Sequence, residues 1–175
     1  MIEYRVMKKT VIIIVLFFMY CEGSPQSIGV FVKSESQNKQ ISIYNDELSE
    51  RVIHTIMEDT VFEPWYSLSI YEDSPLRFKV GIATFDDVTR LIGWIDKKHC
   101  GVFLRIYEED HNIVRLYNAP TEQSRCEEHV LGTGYHEVWV IGADIKSGFL
   151  NVAFKEEGRL YTGWTKQYCS DYLSD

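Results

Sequence analysis

An all-β protein, built as two tandem small β-barrels packed together, is what this 175-residue chain predicts. Three observations carry that expectation. The phrase "RLIGWIDKKHC" (Arg90–Cys100) returns as "RLYTGWTKQYC" (Arg159–Cys169). Apolar residues alternate at period two, and no long stretch keeps helical spacing. The composition, with 11 Tyr, nine Phe and four Trp, favours strands.

The repeat extends beyond that phrase. "GVFV" at Gly29–Val32 recurs as "GVFL" at Gly101–Leu104, and "ISIYN" at Ile41–Asn45 as "VRLYN" at Val114–Asn118. Trp65 aligns with Trp139, "FKV" at Phe78–Val80 with "LNV" at Leu150–Val152, Gly93-Trp94 with Gly163-Trp164, and Cys100 with Cys169. The matches keep their order, as a duplication demands, while loops absorb the changes in length. One change lies between Val80 and Trp94, where "TFDDVTR" faces the shorter "KEEGR". The first copy is expected over residues 28–100 and the second over 101–175.

Within each copy the strands follow from alternation. Leu76, Phe78, Val80 and Ile82 form one apolar face, and Leu150, Val152 and Phe154 form its counterpart. "EDSP" (Glu72–Pro75) and "DIKSG" (Asp144–Gly148) are turns at equivalent places, and "EEG" (Glu156–Gly158) reads as a tight hairpin. Leu48–Met57 reads as a turn or two of helix. Closing each copy into a barrel removes exposed strand edges, and packing the copies together compensates for two thin cores. No Gly/Ser-rich or Pro-rich linker separates them, so a fixed pair is expected.

The N-terminus is a targeting segment. Lys8 and Lys9 precede an apolar run from Val11 to Tyr20, too short to span a bilayer comfortably and suited to a secretory signal over residues 1–23. Cleavage after Gly23 places Cys21 and Gly23 at the −3 and −1 positions. Lipidation of Cys21 is the alternative, and it is the one route to a membrane. Both readings give an exported protein of the periplasm or cell envelope. Of 18 basic and 26 acidic residues, the segment removes three and two, leaving 15 and 24 and a net charge of −9. That charge argues against nucleic acid or an anionic membrane surface as partner.

Copy two resembles bacterial SH3-like (SH3b) domains, tandem copies of which occur in envelope proteins of Bacteroidetes-like bacteria. The residues that carry the resemblance are Leu116, Tyr117 and Pro120, then Trp139, then Leu150 and Val152, then Gly163 and Trp164. It covers Val114 to Cys169. Copy one matches less well, lacking a Pro after Asn45 and having a longer middle. The resemblance implies a non-catalytic binding or targeting module, whose partner is a cell-wall glycan or peptide; the alternative is an interaction subunit that docks another envelope protein. A fold of this kind does not fix the ligand.

Trp94 and Trp164 read as plugs at one end of each barrel, with a ligand-facing wall as the alternative. Trp65 and Trp139 read as core. Tyr135, Tyr161 and Tyr168 are ligand candidates, because Tyr near loops and strand ends joins apolar area to a hydrogen-bonding tip. "CEEH" (Cys126–His129) lacks a second ligand pair, and His99-Cys100 would point to opposite faces of a strand. No catalytic residue, metal or cofactor is expected. A Cys126–Cys169 disulfide would close a loop of about 44 residues and stabilise the chain by roughly 3–4 kcal/mol; the alternative is three free thiols.

Overall fold

The computed structural model describes residues 27–32, 40–57, 67–82, 91–106, 112–132 and 134–169. The expected signal over residues 1–23, with Cys21, and Trp65 lie outside the described residues. Among the described residues thirteen strands form one open sheet, so the all-β expectation holds. In chain order they are β1 (Ile28–Val32), β2 (Gln40–Tyr44), β3 (Val52–Met57), β4 (Ser67–Asp73), β5 (Arg77–Ile82), β6 (Leu91–Asp96), β7 (Cys100–Ile106), β8 (Ile113–Tyr117), β9 (Cys126–Val130), β10 (Gly134–Asp144), β11 (Phe149–Glu156), β12 (Arg159–Thr165) and β13 (Tyr168–Cys169). A 3-10 turn, Lys97–His99, joins β6 to β7. Among the described residues no helix is long and apolar enough to cross a membrane.

The strand order is β3-β2-β6-β5-β4-β1-β7-β10-β11-β12-β8-β9, with β13 pairing on β7. Offset by six strands, the second half of this order is the mirror of the first. The register repeats as well. Ile70 faces Val80 and Glu72 faces Lys79 around a bulge, as Val140 faces Val152 and Gly142 faces Asn151. Trp94 lies opposite both Lys79 and Tyr44, as Trp164 lies opposite Asn151 and Tyr117.

Two sequence alignments shift in this register, and one helical reading gives way to a strand. Ser69, opposite Gly29 and Gly81, holds the place that Trp139 holds opposite Gly101 and Ala153; the pairing of Trp65 with Trp139 is therefore displaced by four residues. Val32 faces Cys100 and Leu104 faces Tyr168, so Tyr168 rather than Cys169 is the counterpart of Cys100. Leu48–Met57 contains no helix: a turn leads into β3, whose residues Val52 and Ile53 are β-branched and suit a strand.

β7 serves both halves. Its first residues, Cys100 and Gly101, pair with β1, and Gly101 to Ile106 pair with β10. Cys100 to Leu104 are all buried, which explains why this strand reads as an unbroken apolar run instead of alternating. Phe31 and Phe103, equivalent residues of the two halves, stack with centroids 4.5 Å apart. One core cluster runs from Ile28 to Phe154 without a break between halves. Polar contacts add to this seam. The Asp73 carboxylate accepts the Ala143 N–H at 2.7 Å and pairs with Lys97 at 2.5 Å, while Lys97 donates to the Ile141 carbonyl at 3.2 Å.

Two turns show why their sequences were chosen. Glu157 and Gly158 both have positive φ (49° and 79°), the two-residue geometry that matches strand twist in a hairpin. Gly148 closes the β10–β11 turn at φ 73°, its N–H donating to the Asp144 carbonyl.

Candidate functional site

Three turns of the first half meet beside β6 and frame a shallow groove of about 430 Å³. The first is the β2–β3 turn. Asp46 accepts the N–H groups of Leu48 and Ser49 at 3.1 and 2.7 Å, and Asn45 N–H reaches the Arg51 carbonyl. This side-chain capping is why "NDELS" makes a compact turn. The second is the β4–β5 turn, where the Ser74 hydroxyl donates to the Arg77 carbonyl at 2.8 Å. The third is the 3-10 turn, held to the second by Lys97 N–H donating to the Leu76 carbonyl.

Arg77 ties these turns together. Its Nε donates to Asp96 at 2.9 Å, its Nη1 donates to the carbonyls of Glu47 and Ser49 at 3.1 and 2.6 Å, and its guanidinium lies 3.5 Å from the centroid of the Tyr44 ring. A planar cation stacked on an aromatic face and hydrogen-bonded through Nε and Nη1 has little freedom left. The groove is therefore preformed. Leu48 and Leu76 line it while remaining 78% and 65% exposed, and Pro75, Glu47, Glu50, Asp96, Lys97 and Lys98 complete the lining.

The equivalent corner of the second half uses different chemistry. Phe149 takes the place of Arg77, its ring edge-on to Tyr117 at 5.7 Å, with Lys166 4.7 Å above it. The aromatic corner is held by packing and the charged one by hydrogen bonds.

The expected ligand residues do not gather in one place. Trp94 and Trp164 are half-buried on the side of their strands opposite Ile95 and Thr165, so neither plugs a core. Trp94 neighbours the groove through Tyr44, and Lys79 stands 5.9 Å from its ring. Trp164 lies close to Gly142 in the second half. Trp139 is half-buried between the fully buried Val138 and Val140, and so faces away from the core. Tyr161 stacks on Phe154 at 5.5 Å and meets His129 edge-on at 4.5 Å. Tyr168 packs on the core and donates its hydroxyl to the Gly148 carbonyl at 2.8 Å; burial pushes its pKa up. It lines a second, smaller cleft with Ile28, Ile145 and Lys146. Tyr135 sits in β10 opposite Arg105. The groove instead rests on Leu48, Leu76, Arg77 and Asp96, which in the sequence look like ordinary loop and strand-end residues.

Cys126 and Cys169 form no disulfide with each other. Cys126 starts β9 opposite Tyr117, and Cys169 lies on β13 opposite Phe103. Cys100 is fully buried, and desolvation pushes its pKa far above the ordinary thiol range, with nearby Lys97 opposing weakly. Such a thiol is not a ready nucleophile. In the chain from residue 24, a thiol reagent should label two cysteines in the native state and a third only on unfolding. The pH dependence has a definite sign. The unfolded thiol ionises above about 9 while the folded one stays protonated, so Cys100 contributes a loss of stability as pH rises past that value. Rapid native labelling of all three thiols would refute the burial.

Comparison of the chain with protein-family models, curated proteins and solved structures gives no match.

Proposed function

We propose that the protein is an exported, non-catalytic binding module that takes a peptide-bearing cell-wall ligand in the groove framed by Leu48, Leu76 and Arg77. The observation that carries this reading is a preformed groove with two leucines left in water. Such side chains lose nothing in the free protein that a ligand would not restore on covering them. The connectivity supports the kinship with SH3-like modules. In each half a hairpin (β2–β3, β8–β9) interrupts the path from the first strand to a three-strand meander, and a short closing strand returns to the first. On this reading each half is one SH3-like barrel, with β7 shared between them, and the envelope is where the mature chain works. A docking role toward another envelope protein is the competing reading.

Co-sedimentation of the mature protein with purified peptidoglycan tests the proposal. The double variant Leu48→Ser/Leu76→Ser should lower binding by about tenfold, equal to ~1.4 kcal/mol, with the melting temperature unchanged because both side chains are already exposed. Wall binding that survives the double variant would remove the groove from the site. Absence of wall binding, with retention of an envelope protein that the variant releases, would favour docking.

A further inference from the structure

The charges that line the groove are unevenly committed, and this names the ligand more closely. Arg77 is spent on Asp96 and on backbone carbonyls, and its side chain is 13% exposed. Lys97 is spent on Asp73 and the Ile141 carbonyl, at 17% exposure. Lys98 is the remaining cation, 70% exposed and 3.7 Å from Asp96. Against it stand Glu47 and Glu50, which line the groove beside the exposed Leu48.

We infer that the groove selects a peptide carrying a free primary amine next to an aliphatic side chain, the amine lying against Glu47 and Glu50 and the aliphatic group against Leu48 and Leu76. This rests on the binding reading above and narrows it to the peptide part of the wall. The chain's net charge of −8 attracts a cation in the same sense. A ligand with only hydroxyl groups would leave both carboxylates without a counter-ion and the leucines without an apolar neighbour. Arg77 and Lys97, held by these partners, do not neutralise Glu47 and Glu50 when the groove is empty.

The test compares purified peptidoglycan before and after chemical N-acetylation of its free amines, using the full mature chain. Acetylation is expected to weaken binding about fivefold, the scale of one or two exposed ion pairs. Glu47→Gln/Glu50→Gln should weaken binding to untreated walls by a similar factor and make the protein indifferent to acetylation. Lys98→Gln should not weaken it. Equal binding to treated and untreated walls, still dependent on Leu48 and Leu76, overturns this inference and leaves the wall-binding reading standing. No binding to untreated walls overturns both.

Discussion

Alanine in place of Phe103 is expected to destabilise the whole protein by ~3–5 kcal/mol, in one transition. Phe103 is 1% exposed and stacks on Phe31 across the joint between halves. Truncation removes its own buried surface and leaves a cavity that Phe31 alone cannot fill. Because β7 pairs with β1 on one side and β10 on the other, the loss reaches both halves. Denaturant melts followed by far-UV circular dichroism and by Trp fluorescence should coincide before and after the change. Two separated transitions, with only the later one shifted, would show that the halves unfold independently and would contradict a common core.

Adding one methyl group at Gly93 is expected to cost ~1–3 kcal/mol. A Cβ there would stand 2.3 Å from Ile43 Cγ2 and 3.0 Å from the Tyr44 carbonyl oxygen. Gly163 repeats the situation, with a Cβ 2.7 Å from Leu116 Cβ. Ile43 and Leu116 are the equivalent residues of β2 and β8, so both copies keep a glycine before tryptophan for the same steric reason. Gly132→Ala is the control, since its nearest neighbour would be 4.0 Å away. Thermal melts should rank Gly93→Ala and Gly163→Ala well below Gly132→Ala. Equal melting temperatures for all three would mean that the β2–β6 and β8–β12 contacts are looser than described.

The strand content was legible because it rests on local pattern. Phe78, Val80 and Ile82 alternate with Arg77, Lys79 and Gly81, and the buried residues are the apolar set. The duplication was legible for the same reason, since glycines with steric roles and core positions recur together. The errors came where a single residue type served as the guide. Trp139 shares its residue type with Trp65 but answers to Ser69 in the sheet. A one-residue slip set Cys100 beside Cys169, although burial distinguishes them: Cys100 is 0% exposed and Cys169 is half-buried. In a strand, such a slip changes the face. The helical reading of Leu48–Met57 fails because Val52, Ile53, Thr55 and Ile56 are β-branched and pair with β2.

The groove was not legible at all. Its residues come from Glu47–Glu50, Pro75–Arg77 and Asp96–Lys98, three separate turns whose charges read as solvated loop. Only the pairing of β5 with β6 puts Arg77 opposite Asp96, and only then does Arg77 reach back to the β2–β3 turn. Tyr135, Tyr161 and Tyr168 stand out in the sequence as aromatic residues near loops and strand ends, yet Tyr161 and Tyr168 are engaged in packing against the core.

The shared strand also sets the phase of the molecule. Elsewhere the two halves differ in length, as the unequal Thr84–Arg90 and Lys155–Arg159 segments of the sequence show. β7 has no such freedom. One residue inserted after Gly101 would exchange the two faces of Val102 to Ile106 relative to Cys100, and both faces are packed. Two would restore the facing but displace one half along the other by about 6.8 Å, pulling Phe103 away from Phe31 and Ala143 away from Asp73. Divergence at this joint therefore proceeds by substitution at fixed length, and the distance between the two corners is inherited as a constant while their chemistries drift apart.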